Sequence, residues 1–257
     1  MKMHPLTLAL AGLTTLSFSL SAAATTTVGV GYEYTSGKYG GGNAEKTTEQ
    51  VIPVSLKHEN GPWTFKFTVP WVSVKGPGNP NNALGTGAAN QKESGLGDVT
   101  AAGFYNIYND PATKFGLDVG LKAKFATADK AKTSITTGEN DYSVQADFYG
   151  DFKPIQKTSW FGSVGWTKKG DPNGVDYRDP LYLSAGFSYK LDDQNSWGAA
   201  YDYREKILPG RDPISEASVF FTHRYSQVLK VQGYALTNVA SDSSPDYGVG
   251  LNVFYSF

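Results

Sequence analysis

The stretch Phe115-Gly116-Leu117-Asp118-Val119-Gly120-Leu121-Lys122-Ala123-Lys124-Phe125 decides the fold. Apolar side chains hold every second position, and Gly, Asp and Lys fill the positions between them. A period of two belongs to a β-strand, whose successive side chains point to opposite faces. The polar face carries Asp118, Lys122 and Lys124, which a dry core does not accept unpaired. The strand therefore has one apolar face and one wet face.

The same alternation recurs along the chain, most cleanly over residues 63–71, 142–152, 181–189 and 247–257. There are about twelve such runs by this criterion. They begin near Thr25, Thr48, Pro62, Gly97, Thr113, Asp141, Thr158, Pro180, Asn195, Ile214, Val228 and Asp246. Each is close to the ~10 residues that a tilted strand needs to cross a bilayer. Tight turns at Glu59-Asn60-Gly61, Asn109-Asp110-Pro111-Ala112, residues 153–157, residues 192–194 and Ser226-Gln227 alternate with longer polar stretches. The long ones are 37–47, 75–96, 127–140, 168–179, 205–213 and 238–245. Short turns at one end and long loops at the other are the layout of a transmembrane barrel, with the long set outside the cell. The predicted fold is thus all-β, a closed antiparallel transmembrane β-barrel of about 12 strands. In hydrocarbon every backbone N–H and C=O must be paired within the structure, so such strands have to close on themselves.

Composition agrees with this reading. Charged residues make up 18% of the 257 positions, against roughly 25% in soluble domains. A formal net charge of -1 gives no electrostatic footprint for nucleic acid. The absence of cysteine excludes disulfides, thiolate catalysis and Cys-ligated zinc. An apolar run long enough to resemble a spanning helix is approached only at the N-terminus. There Lys2, the apolar residues of 6–20 and Ala22-Ala23-Ala24 read as a secretory signal peptide. Residues 1–24 are the predicted signal and residues 25–257 the barrel, placed in a bacterial outer membrane.

The tryptophans sort by position. Trp63, Trp160 and Trp197 sit on the apolar parity beside short turns, and Trp71 and Trp166 on the same parity beside long loops. Two aromatic girdles at the two lipid–water interfaces are predicted. Pro53 and Pro70 fall inside the second and third strands, so a bulge or local break is predicted there. The fourth strand is ambiguous, because Phe104 and Tyr108 lie on the opposite parity from Val99, Tyr105 and Ile107.

With the apolar parity against lipid, the other parity lines the lumen. The candidate solute path comprises Lys66, Asp118, Lys122, Lys124, Asp147, Tyr149, Asp202, Arg204, Arg224 and Lys230. Lys57, Asp151, Glu216, Gln145, Tyr182 and Gln232 share that face. Lys66, Asp118, Lys122 and Asp147 are expected nearest mid-membrane. Both signs of charge are present, unlike a pore that selects one sign strongly. A structural, ion-paired interior is the alternative to a path. About twelve strands make a narrow lumen. The loop from Lys75, with Gly76-Pro77-Gly78-Asn79-Pro80, is the candidate plug, and a surface loop is the alternative.

Catalytic chemistry finds no support. Beyond the signal, histidine occurs only at His58 and His223, both at inner strand ends, and no Gly-x-Ser-x-Gly elbow is present. Asp171 to Asp176 departs from calcium-loop spacing, so no metal and no cofactor are expected. Terminal Phe257, with Tyr255, Val253, Leu251, Val249 and Tyr247 at alternate positions before it, resembles the C-terminal signature read by the barrel-assembly machinery.

Ser94-Gly95-Leu96-Gly97-Asp98-Val99-Thr100 resembles the Gly-Leu-Gly-Asp element of the outer-membrane transporters grouped as the MetA-pathway of phenol degradation family. The strand Phe115–Phe125 and the Thr137-Gly138-Glu139-Asn140 segment entering Tyr142 are similar to it as well. The resemblance implies passive uptake of a small, often aromatic or hydrophobic, solute and supplies no binding residues. Asp98, taken on its own, reads as a cap on the strand start. The implied partners are outer-membrane lipids, the assembly machinery and the solute. The competing readings are a soluble ligand-holding barrel, a non-conducting structural or adhesive barrel, and an outer-membrane lipase.

Overall fold

The computed structural model describes residues 24–38, 46–76 and 92–257. The signal segment and most of the loop from Lys75 lie outside the described residues. Within them the chain forms β1 (Thr25–Gly37), β2 (Thr47–Asn60), β3 (Trp63–Lys75), β4 (Lys92–Leu96), β5 (Val99–Asp110), β6 (Phe115–Phe125), β7 (Asp141–Asp151), β8 (Thr158–Lys168), β9 (Leu181–Lys190), β10 (Asn195–Arg204), β11 (Ile214–Arg224), β12 (Leu229–Asn238) and β13 (Tyr247–Ser256). Every pairing is antiparallel, and all but β3–β5 and the closing β1–β13 pair join chain neighbours. β4 and β5 both pair with β3, so they are two parts of one stave, and the described strands make a barrel of 12 staves. β1 pairs with β13 from Thr27–Ser256 to Ser36–Tyr247. Beyond that ladder, Thr26 and Phe257 exchange N–H···O bonds of 2.9 Å in both directions. Among the described residues the staves close into a ring, with only the short β4 paired on one side; closure is the condition for spanning lipid.

The sequence pattern appears inside out. Leu121 is 66% exposed and Trp71 48%, whereas inward Phe104 is 4% exposed. An all-round apolar exterior suits hydrocarbon rather than water. The inner rim of this belt carries Trp63 against the Tyr105 ring at 4.7 Å, Phe115 with Trp160 at 6.0 Å, and Phe187 with Trp197 at 5.4 Å. Phe257 and Tyr255 lie 6.3 Å apart on the same rim. Trp71, Tyr142 and Trp166 face outward near the long loops, as does Tyr34 against Tyr247 at 6.3 Å. The tight inner turns are built locally. Gly61 supplies a φ of 55° between β2 and β3, and the Asp192 carboxylate accepts from the N–H groups of Gln194 and Asn195 at 2.8 and 2.7 Å, as turn residues of this kind do.

A second set of aromatics points inward, and each ring lies across the ladder from a glycine. Phe104 faces Gly120, Tyr149 faces Gly116, Phe161 and Tyr182 face Gly186 and Gly165, and Phe220 faces Gly198. Tyr234 faces Gly250, and Phe254 faces Gly29. A Cβ on Gly120 would stand 2.3 Å from Phe104 Cδ1 and 2.7 Å from the Gly103 carbonyl oxygen. The glycines form a floor that leaves room for these rings against the wall.

Pro53 and Pro70 are direct cross-strand partners on the lumen side. β2 and β3 pair straight through them without a shift. The expected break falls on their outer neighbours instead. The β1–β2 register omits Gly31 and Tyr32, and the β3 partner strand is interrupted at Gly97-Asp98. That stave begins at Lys92, earlier than the Gly97 start read from the sequence. The parity conflict of the fourth stave is resolved by an irregularity between Asn106 and Tyr108, which leaves both Ile107 and Tyr108 outward.

Candidate functional site

The lumen is the candidate site, and its walls hold every residue proposed from the sequence on the inward parity. Near the inner end of β5–β9, Asp118 and Asp147 are direct cross-strand partners. Like charges in that position repel, and neighbouring side chains offset this. Asn106 Nδ2 donates to Asp118 Oδ1 at 2.6 Å, and Tyr149 OH donates to the same oxygen at 3.3 Å. Gln145 donates to Asp147 through its Nε2 and accepts from Tyr182 OH at 2.8 Å. Lys66 lies within electrostatic reach of both carboxylates, and Lys122 within reach of Asp147. The four residues expected near mid-membrane are therefore one electrostatic group.

Lysines in this chamber also meet the ring layer. Lys66 Nζ is 5.0 Å from the Phe104 centroid, Lys122 Nζ is 4.7 Å from Tyr182, and Lys230 Nζ is 4.8 Å from Phe254. These are cation–π distances. Phe104, Phe161, Phe220, Tyr234 and Phe254 were not among the residues picked from sequence. The available signal was the glycine on each adjacent strand, which becomes visible only once the register is known.

Toward the outer end the lumen changes character. Asp202 and Glu216 are cross-strand partners, with Arg204 at the outer end of β10. Tyr234 OH donates to Glu33 Oε2. Glu33, Glu49, Arg204 and Glu216 are all buried. The loops after β10 and β12 bury residues at this end. Ile207 is fully buried, as are Ser243 and Ser244, and Ser244 Oγ accepts from the Ser215 N–H at 3.0 Å.

The loop between β6 and β7 folds onto the inner wall of the outer mouth. Its Ala128 and Ile135 form a buried apolar cluster with Val51, Val72 and Val74, which are the inward residues of β2 and β3. Asp98, at the break between β4 and β5, anchors this loop. Its Oδ2 meets Lys124 Nζ at 3.0 Å and accepts from Thr136 Oγ1 at 2.8 Å, while its Oδ1 accepts from the Ala128 N–H at 3.2 Å. Lys124 Nζ also donates to the Glu139 carbonyl at 2.9 Å and lies 3.4 Å from Asp141 Oδ2. That same oxygen meets Lys169 Nζ at 2.5 Å. Two further tethers join the loop to β4: Lys132 Nζ donates to the Ser94 carbonyl at 2.7 Å, and the Ser134 N–H to Glu93 Oε2 at 2.6 Å. Burial pulls the Lys169 ammonium down to about 8, against the pull of Asp141.

Two sequence readings change here. Asp98 does more than cap a strand, since it clamps a loop some thirty positions away in sequence. The inward loop is residues 126–140, which the sequence presents as an external polar loop. The plug reading of the segment from Lys75 rests on residues 77–91, outside the described ones. Lys124, placed on the solute path from sequence, is held in this clamp, and Arg204 is buried below the loops.

The remaining candidates have local partners. His58 Nδ1 is 2.9 Å from Thr26 Oγ1, and His223 Nδ1 is 2.8 Å from Asn195 Oδ1 with its ring edge-on to Tyr225. Asp151 meets Lys114 at 2.9 Å at the inner rim. Among the described residues no group of His, Cys, Asp or Glu has the arrangement to hold a metal ion.

Three comparisons bear on this architecture. The barrel superposes on the COG4313 outer membrane channel from Pseudomonas putida F1 with a TM-score of 0.74 at 16% identity, covering 93% of this chain and 97% of that one. It superposes on the KdgM porin in complex with disordered oligogalacturonate with a TM-score of 0.57 at 11% identity, covering 90% and 99%. The NanC porin gives 0.55 at 11% identity, with 90% and 98% covered. No curated protein matches the sequence. The family model for the MetA-pathway of phenol degradation matches residues 27–220. The closed barrel with its apolar belt is of the outer-membrane type, and the chain belongs to the MetA-pathway of phenol degradation family.

Proposed function

We propose that this barrel is a passive outer-membrane channel for a small solute with an aromatic or otherwise apolar part. The observation that carries the reading is the inner chamber, where lysines lie over inward rings on a glycine floor. Rings offer a face to an apolar solute while the ammonium groups keep the chamber wet. The solute path follows Lys66, Asp118, Lys122, Asp147, Tyr149, Arg224 and Lys230, and reaches the outside past Asp202, Arg204 and Lys124 once the loop of residues 126–140 swings out. No catalytic step, metal or cofactor enters this reading. Phe257 and its strand serve as the assembly signal, the signal peptide as the export address, and Trp63, Trp71, Trp160, Trp166 and Trp197 as interface anchors. The name of the P. putida neighbour, an outer membrane channel, points the same way.

Single-channel recording of the refolded barrel in a planar bilayer tests the proposal. Discrete current steps, altered by Lys66→Gln or Asp147→Asn, are expected. A folded barrel that stays silent even after removal of residues 126–140 overturns it in favour of a structural role.

A further inference from the structure

The outward face of the barrel changes in steps along the ladder of β3 and β4, which pairs Trp71 with Leu96, then Ser73 with Ser94, then Lys75 with Lys92. These side chains share one parity, and it is the outward one, since Trp71 is 48% and Leu96 57% exposed. The order from the apolar belt toward the outside is apolar, hydroxyl, cationic. Successive pairs lie ~7 Å apart along a strand, so at a tilt of about 40° the lysine backbone stands roughly 10 Å above the Trp71 girdle. Lysine stems reach back along the wall and bring their ammonium groups to the lipid headgroup layer.

Like charges in direct opposition across a ladder repel. Lys75 and Lys92 are both exposed, and neither forms an ion pair with a described residue, whereas outward Lys168 at the same end of β8 meets Asp179 at 3.0 Å. The acidic neighbours on these strands face the other way. Glu49 and Glu93 are cross-strand partners of Val74, which is buried on the lumen side, and Glu93 accepts from the Ser134 N–H. Residues 77–91, which join the two lysines, contain no charged residue. The row continues around the barrel: Lys75 faces Thr48, Thr48 faces Ser36, and Ser36 faces Tyr247. A third lysine stands there, with Lys46 Nζ 5.7 Å from the Tyr247 ring centroid. Three strand spacings, about 14 Å, separate Tyr247 from Lys75, a span on the scale of a disaccharide.

We propose that Lys75 and Lys92, with Lys46 at the far end of the row, bind the phosphate groups of the outer-leaflet glycolipid. Its acyl chains lie along Trp71 and Leu96, its sugars rest against the hydroxyl step, and a phosphate sits between the paired ammonium groups. A shared anion turns the repulsion within the lysine pair into attraction, through charge-assisted hydrogen bonds to phosphate oxygens. The wall from β13 to β4 is thus the part of the barrel that holds a lipid in place. This inference uses the outer-membrane position of the barrel and does not depend on current through it.

The test is native mass spectrometry of the full folded barrel in detergent, titrated with bisphosphorylated lipid A, its dephosphorylated form and inorganic phosphate. Lipid A is expected to stay bound at concentrations where the dephosphorylated form does not. Lys75→Gln/Lys92→Gln is expected to weaken retention about tenfold, the loss of one charge-assisted contact, and Lys46→Gln to weaken it less. Lys75→Arg/Lys92→Arg, which keeps the charge, should retain the lipid, and Lys168→Gln, which removes a lysine already engaged by Asp179, should change nothing. Equal retention of the two lipids, unchanged retention in the double Gln variant, or loss of retention in the double Arg variant overturns the site. So does an equal loss in Lys168→Gln, which would assign binding to rim charge in general. Displacement of lipid A by inorganic phosphate at equal concentration also overturns it, since the ligand would then be a free anion.

Discussion

The two halves of the lumen are cut from the same staves and do opposite things. In the inner half the inward Lys66, Asp118, Lys122 and Asp147 stay partly exposed beside the buried rings of Phe104 and Tyr149. In the outer half the same alternation delivers Glu33, Glu49, Val51, Val72, Val74, Arg204 and Glu216 into a packed interior, with loops folded over them. One strand pattern thus makes a wall that is wet at one end and dry at the other. The difference comes from the loops, since the strand periodicity is unchanged from end to end. A lumen face is defined by what covers it.

The largest expected effect comes from removing the clamp. Asp98→Ala takes one partner from the buried group of Asp98, Lys124 and Asp141, a loss of about 3–5 kcal/mol for breaking a buried pair. Because the staves close through backbone hydrogen bonds, the loss falls on the loop. Conductance should rise and protease should cut within residues 126–140, while the barrel keeps its heat-resistant mobility on a gel. An unchanged current with an uncut loop would mean that the apolar cluster of Ile135 holds the mouth shut without Asp98.

Next is the ring floor. Gly120→Ala drives a Cβ into Phe104 and the Gly103 carbonyl, and overpacking of this kind costs about 1–3 kcal/mol. Urea unfolding in lipid vesicles measures it. The double variant Gly120→Ala/Phe104→Leu should recover part of the loss, because the backbone contact remains when the ring is gone. Full recovery would assign the whole cost to the ring.

Smaller still are the selectivity shifts, which compare the halves directly. Lys66→Gln should move the reversal potential in a salt gradient toward cations and Asp147→Asn toward anions, each on the order of a twofold change in permeability ratio for a lining charge. Arg204→Gln should do nothing until the Asp98 clamp is also removed, because Arg204 is buried behind the loops. An immediate shift from Arg204→Gln would show that ions already pass the outer half.

Much of this was written in the sequence, and the exceptions have a common cause. Alternation is local, so the strand starts at Asp141, Thr158, Asn195 and Ile214 were read where they occur. The outward tryptophans followed from the same parity. The inward rings at Phe104, Phe161, Phe220, Tyr234 and Phe254 did not, because an aromatic on the polar parity looks like an error until its glycine partner on the next strand is known. That partnership is a matter of register, which alternation leaves open. The inward loop was hidden for a related reason. Its polar composition is that of a surface loop, and its part in the apolar cluster on the inner wall is made by Ala128 and Ile135. The clamp at Asp98 joins the Gly-Leu-Gly-Asp segment to Ala128 and Thr136, contacts no short-range pattern encodes.

A pH dependence is expected at the outer rim, and its sign follows from Lys169. Its ordinary value is 10.5 and in the folded barrel it stands at about 8. Burial is the main cause; Asp141 opposes it but is shared with Lys124. Between those two values the unfolded chain holds a proton that the folded one has released, so this group makes stability rise with pH across that window. Below pH 8 both states are protonated and the full penalty of the buried ammonium is present. Lys169→Met removes the group, so the stability of the wild type relative to the variant should climb from pH 8 toward pH 10, read as unfolding midpoints at matched ionic strength. A relative stability that falls over the same window would mean that the contact with Asp141 outweighs burial, and that the outer half is held by charge rather than by exclusion of water.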